Sequence, residues 1–211
     1  MPAPRGKPSP PQLPDYGSVD YWDARYMDAG NRASFEWFFH YKDIAVAFEA
    51  YLRRDKSEKI LVLGCGTSSL PNDLVKAGYD KITCVDFSGA AIRSMTSRLP
   101  TNSPIQYFQM DVRDMHAFSD HTFDLIIDKG VLDCVVCDVS NAVGATRMMD
   151  EVRRLLQPSG SFFVFSTGTL SNRAPYLKSS YWQMTQVALG QPVHVLALML
   201  RPQGLTTPSA K

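Results

Sequence analysis

Three short stretches of the chain carry residue types that could hold a small molecule: Gly64-Cys65-Gly66-Thr67-Ser68-Ser69, Asp86, and Asp111 with Val112. The two glycines would let the backbone turn sharply and approach a ligand with no Cβ in the way. Asp86 follows Gly64 by 22 positions. That is the spacing at which an acidic side chain in a nucleotide-binding α/β fold accepts hydrogen bonds from ribose hydroxyls. The plainer reading of Asp86 is a cap on the helix that follows, but Ser88 is available for that task. Asp111 could accept from an adenine amino group while the next backbone N–H donates to the ring, or it could merely serve a turn. A dinucleotide fingerprint would place a third glycine where this chain has Ser69, which counts against a nicotinamide oxidoreductase. A P-loop would continue into Gly-Lys-Ser or Gly-Lys-Thr, and no such triplet follows.

Two more groups invite a chemical reading. Asp128-Lys129-Gly130, with Asp133 close behind, closes an apolar run. An Asp-Lys neighbour pair on a surface is usually inert, whereas at a strand end it faces the ligand crevice of this kind of sheet. Ahead of all these lie Tyr21-Trp22-Asp23-Ala24-Arg25-Tyr26 and Phe35-Glu36-Trp37-Phe38-Phe39. Trp22 and Tyr26 are four apart and share one helix face. Such rings serve as a lid or as core, and their faces also attract a sulfonium or ammonium by about 0.5–2 kcal/mol each. Of the four cysteines, Cys134 and Cys137 form a lone CxxC. A structural zinc site needs four ligands, and none of the four histidines supplies the spacing, so no metal is expected.

Alternating elements would position these residues. Short apolar runs at 59–64, 81–86, 105–109, 123–127 and 161–166 read as strands, the fourth ending at Asp128. Helical patterns occupy 68–77, the segment capped by Ser88, and 144–156, stopped by Pro158 and Gly160. Two last strands, 181–187 and 193–200, are joined at Gly190-Gln191-Pro192, and helices are expected near 19–28 and 42–53. This order predicts a doubly wound α/β sheet, parallel except at one edge, with ligands outside the carboxyl ends of its strands. Gly, Asp and Asp at three successive strand ends describe an adenosine site without a phosphate cradle. S-adenosylmethionine, an adenosine with a sulfonium and an amino-acid tail, fits that description.

The 211 residues suit one such domain, here expected over 18–211 behind a disordered proline-rich tail at 1–17. A hydrophobic content of 45% and a formal charge of +1 indicate an ordinary globular chain without bias towards nucleic acid or anionic membranes. No apolar run approaches the roughly 20 residues that span a bilayer, and the start lacks the apolar core of a secretory signal. A cytoplasmic location is the default expectation.

With these motifs in view, the chain resembles the seven-strand class I methyltransferases. More narrowly, it is similar to the group of elongation factor 1A lysine methyltransferase 4 and methyltransferase-like 13. The matching pieces are YWDARY at 21–26, FEWFF at 35–39, ILVLGCGTSSL at 60–70, VDFS at 85–88, MDVRDM at 110–115, FDLIIDKGVLD at 123–133 and VRRLLQPSGSFFVFS at 152–166. The resemblance implies contacts to S-adenosylmethionine at Trp22, Tyr26, Trp37, Gly64, Asp86, Phe87, Asp111, Val112 and Lys129, with Gly66 in the same turn. It also implies the strand order 3-2-1-4-5-7-6 with strand 7 antiparallel. The acceptor it implies is a protein lysine, as on elongation factor 1A, with small-molecule methylation or a non-catalytic cofactor-binding subunit as alternatives. The Asn-Pro-Pro-Tyr motif of relatives that methylate adenine or glutamine amides is absent, since Asp128-Lys129-Gly130 stands there. A lysine must lose its proton before it attacks, and Asp128 and Asp133 are the candidate bases.

Overall fold

In the computed structural model, residues 14–28, 35–137, 141–177, 181–189 and 195–203 are described. Residues 1–13 of the tail expected at 1–17, and the turn at 190–192, lie outside them. Seven strands, β1 (Ile60–Leu63), β2 (Ile82–Asp86), β3 (Ile105–Gln109), β4 (Phe123–Lys129), β5 (Leu156–Ser166), β6 (Trp182–Gln186) and β7 (Leu196–Pro202), form one sheet. Its order is β3-β2-β1-β4-β5-β7-β6, and β7 runs antiparallel to both neighbours. Seven helices accompany them among the described residues: α1 (Val19–Asp28), α2 (Tyr41–Glu49), α3 (Leu70–Lys76), α4 (Gly89–Thr96), α5 (Val131–Val135), α6 (Asn141–Leu155) and α7 (Leu170–Arg173).

The outer strands β3 and β6 carry polar, partly exposed residues, whereas the central strands β1, β2 and β4 are buried along almost their whole length because both faces of the sheet are covered there. Alternation sorts their side chains. Leu61 and Leu63 join the core beneath α5 and α6, with Met148, Val152 and Leu155. Ile60 and Val62 join the opposite core, with Ile44 and Phe48 of α2 and Leu70 and Leu74 of α3. Phe162 and Val164 divide from Phe163 and Phe165 in the same way. The aromatic pairs Phe48–Phe163 (4.7 Å) and Phe39–Phe165 (4.9 Å) fasten the N-terminal region to the centre of the sheet.

Several boundaries differ from the sequence reading, among them the end of α2 at Glu49, the start of α6 at Asn141 and the end of β7 at Pro202, and two differences follow from strand pairing. β4 does not end at Asp128 but continues through Lys129, because β5 offers partners that far: Asp128 pairs with Val164 and Lys129 with Phe165. β5 begins at Leu156, directly after α6, and its register against β4 shifts between Phe123 and Leu125. Pro158 and Gly160 sit in that irregular stretch, where a missing N–H costs no ladder bond. Asp124 serves there as an anchor, accepting from Lys59 N and Arg53.

Phe163 is fully buried, so Phe163→Ala leaves a cavity between α2 and the sheet. We expect it to lower unfolding stability by about 3–5 kcal/mol, read as a lower urea midpoint at unchanged slope.

Candidate functional site

The carboxyl ends of β1, β2, β3 and β4 open on a cavity of about 300 Å³. All ten residues expected to touch a cofactor line it: Trp22, Tyr26, Trp37, Gly64, Gly66, Asp86, Phe87, Asp111, Val112 and Lys129. Each arrives by a different local cause. Gly64 and Gly66 both take φ of +49°, a conformation L side chains rarely adopt. There is no room for a Cβ either, since one on Gly66 would overlap the Tyr26 hydroxyl and one on Gly64 the Val131 methyl group.

Asp86 is buried at the end of β2. One carboxylate oxygen accepts from Gly66 N and the other from Ser88 N, each at 2.8 Å. The side chain thus holds the glycine turn in place and keeps one lone pair per oxygen in hand. Ser88 caps α4 by accepting from Ala91 N (3.1 Å), as its position predicts. It also donates to Asp23 of α1, whose carboxylate accepts from Ala90 N too, so α1 is pinned to the start of α4. These donors hold the Asp23 carboxyl below its usual range. Burial pushes Asp86 up to about 6, against its two backbone donors and with the Asp23 charge adding to it.

The aromatic residues close over this floor. Trp22 stacks on Tyr26 at 5.7 Å and meets Trp37 edge-on at 6.1 Å. Tyr16, assigned by the sequence reading to the tail, packs on Tyr21 and Trp22, and its carbonyl accepts from Trp22 Nε1 at 2.9 Å. Arg25 lies over Phe35 (4.9 Å), Trp37 (5.6 Å) and Trp22 (6.0 Å), joining the two aromatic segments. Burial raises the Tyr26 phenol well above its ordinary value, so it stays neutral.

The two carboxylates read as candidate bases occupy different places. Asp128 is fully buried and does not line the cavity. Its oxygens accept from Val131 N (2.6 Å) and Leu132 N (3.1 Å), capping α5, and burial together with Asp133 pushes it up to about 7. Asp133 does line the cavity, but its carboxylate is taken by Ser166, by Thr167 N and Oγ1 (2.8 Å each), and by Arg173 at 2.9 Å. The lone pairs of Asp133 are thus taken up by holding the site together, whereas Asp128, with one donor per oxygen, is shut off from the cavity by its burial.

Sequence reasoning passed over three residues here: Glu36, Arg113 and Arg173. Glu36 pairs with Lys129, Arg113 with Asp111 at 2.7 Å, and Arg173 with Asp133. Every cation of the cavity wall therefore has a carboxylate partner. Such a wall offers no cradle for phosphates and leaves a mainly apolar, aromatic enclosure with acceptor oxygens at Asp86, while both oxygens of Asp111 already accept from Arg113. An uncharged adenosine with a sulfonium tail suits that donor and acceptor set. Glu36 had a signal in the sequence, a lone carboxylate in an aromatic run. Arg173 had none.

The comparisons agree with this geometry. A family model described as a methyltransferase domain matches residues 61–164. The chain is 33% identical over 208 residues to the EEF1A lysine methyltransferase 4 of Mus musculus, covering 92% of this chain and 80% of that protein. It is 34% identical over 160 residues to the eEF1A lysine and N-terminal methyltransferase of Bos taurus, covering 74% of this chain but 22% of that longer one. Among solved structures, a TehB-like SAM-dependent methyltransferase from Corynebacterium glutamicum superposes with a TM-score of 0.60 at 16% identity, over 88% of this chain and 98% of that one. A SAM dependent methyltransferase from Aquifex aeolicus gives 0.62 at 8% identity, over 84% and 97%. At such identities these two structures speak for the fold.

Asp86→Ala should weaken S-adenosylmethionine binding about tenfold or more, since hydrogen bonds to a charged group are worth about 1.5–3 kcal/mol. Wild-type affinity should also fall as pH drops through about 6, because the protonated carboxyl loses acceptor strength, and calorimetry across that range should find the dependence absent from the variant. Stability runs the opposite way. Asp86 and Asp128 bind protons more tightly folded than unfolded, so ionising them costs stability as pH rises from about 4 to about 7.

Proposed function

The chain belongs to the S-adenosylmethionine-dependent methyltransferases, and on that premise we propose that it methylates a lysine side chain of a protein of the elongation factor 1A type. The printed names of its relatives point to that acceptor. The observation that carries the reading is the cavity wall, apolar and aromatic with each cation already ion-paired. A free lysine amine has a reference pKa of about 10.4 and must be neutral to attack. An apolar enclosure disfavours the ammonium, and aromatic faces still guide it in while charged.

When bound, the cofactor supplies a methyl group already activated on a sulfonium. The work left to this chain is to position donor and acceptor in line and to exclude water. In our reading Asp86 accepts from the ribose hydroxyls, Asp111 and the Val112 N–H meet the adenine, and Phe87 lies beside it. Trp22, Tyr26 and Trp37 cover the sulfonium end and shape the acceptor channel. Asp133 orients the channel wall through Arg173 and Thr167, and the acceptor proton leaves to water as the amine enters the apolar enclosure. Neither Asp133 nor Asp128 is assigned as a base, because the oxygens of Asp133 are occupied by Ser166, Thr167 and Arg173 and Asp128 is buried away from the cavity. We place the reaction in the cytoplasm, where an elongation factor would be met.

Incubating the purified protein with labelled S-adenosylmethionine and elongation factor 1A, alone and within a cell extract, should place the label on one or more lysines of that protein by mass spectrometry. Label confined to small molecules, or an extract labelled equally well after its protein lysines are blocked, would overturn the assignment. The same experiment without the extract separates an enzyme active alone from a subunit that needs a partner.

A further inference from the structure

Glu36 is the single polar side chain of Phe35–Phe39, and its carboxylate is almost wholly buried, with 7% of the side chain exposed. It takes three donors from two separate elements. It accepts from Ser68 Oγ at 2.9 and 3.0 Å and from Ser69 N, both in the turn between β1 and α3. It also pairs with Lys129 Nζ at the end of β4, and Lys129 reaches the same Ser68 hydroxyl at 3.2 Å. The Ser68 hydroxyl in turn accepts from Leu70 N at 3.1 Å, so the network ends in the first turn of α3.

The side chains next to Glu36 make ring contacts, and one backbone bond, Phe39 N to Trp37 O at 2.8 Å, runs within the segment. Phe35 and Trp37 sit under Arg25, and Trp37 meets Trp22. Phe38 takes a φ of +69°, costly for a bulky residue, and its ring fills the space beside Gly130 where a Cβ would lie at 3.0 Å. Phe39 lies against Phe165 and beneath the Lys129 ammonium at 5.6 Å. Ring contacts tolerate sliding, whereas a carboxylate with three donors on two elements fixes a segment in place. A strained Phe38 also needs something that over-determines its position.

We propose that Glu36 is the positioning residue that fastens the aromatic cover to the glycine turn and to β4, acting through Lys129 and Ser68 rather than by touching the reacting atoms. Lys129 is a buried cation, so its direction depends on its counter-charge. Without Glu36 its ammonium would swing away or lose its proton, and the turn that shapes the amino-acid end of the cofactor site would lose two of its ties. The inference rests on the cofactor assignment and not on the lysine acceptor.

The test uses the full chain, hydrogen exchange, and calorimetric titration with S-adenosylhomocysteine, for wild type, Glu36→Gln, Lys129→Met and the double variant. Glu36→Gln should speed exchange of the amides of residues 36–39 and raise the dissociation constant, each by about tenfold or more, while β1, β4 and β5 amides stay near wild type. The double variant, which leaves no buried charge unpaired, should lose less affinity than the two single losses multiplied together. If Glu36→Gln fails to fold, the double variant carries the same exchange measurement. Unchanged exchange and affinity would overturn the proposal. So would exchange accelerated equally in β4 and β5, which marks ordinary packing, or losses that simply multiply. No acceptor enters the measurement, so a failed search for the methylated lysine leaves it intact, and wild type that binds no S-adenosylhomocysteine would strike the cofactor assignment while exchange still reports on the fastening.

Discussion

Everything in this molecule depends on the parallel ladder of β2, β1, β4 and β5, buried on both faces. Helices cover those faces, so polar chemistry has no place along the strands and must collect where they end. The in-register pairing of Leu63 with Asp128 and of Asp86 with Gln109 brings the chain, from four distant stretches, to one edge. Gly64, Asp86, Asp111 and Lys129 are neighbours for that reason and for no local one.

At that edge the governing term is electrostatic. Among the described residues, three cations and five carboxylates lie at or just beneath the cavity, and each cation has a carboxylate partner: Lys129 with Glu36, Arg113 with Asp111, Arg173 with Asp133. Asp86 and Asp128 lack a cation and instead take backbone N–H donors, and these are the two whose carboxyls are raised, to about 6 and about 7. Burial also lowers Lys129 and pushes Cys134 up to about 12. The outcome is a site with no unpaired cation among the described residues of its wall and a negative excess at Asp86 and Asp128, which suits a donor that brings its own positive charge.

The aromatic cover completes the site from outside the alternating strands and helices. Its two segments meet each other through Trp22, Trp37 and Arg25, and meet the sheet through Asp23 on Ser88, Phe39 on Phe165 and Glu36 on Lys129. Apolar contact supplies the cover's area, and the carboxylates supply its register. The same division of labour appears within the sheet, where Asp124 ties Lys59 and Arg53 while hydrophobic faces carry the burial.

The sequence by itself determined the elements and the composition of the site. Short continuous apolar runs ended by Gly or Asp read as strands buried on both faces, and the spacing from Gly64 to Asp86 marks one strand–helix–strand unit. Ser88 as a helix cap, β3 at 105–109 and Gly64, Gly66, Asp86 and Asp111 at the strand ends were legible in that way, whereas Trp22, Tyr26, Trp37, Phe87 and Lys129 entered as cofactor contacts through the family resemblance. What tertiary structure alone decided is which polar atoms remain available. Asp128 and Asp133 read alike in the chain, yet one turns to the amide groups of α5 and the other is held by Arg173, forty residues on. Glu36 meets Lys129 across ninety-three residues. A side chain's hydrogen-bond partners depend on which strand ends the ladder brings within about 3 Å, and no local pattern records that distance.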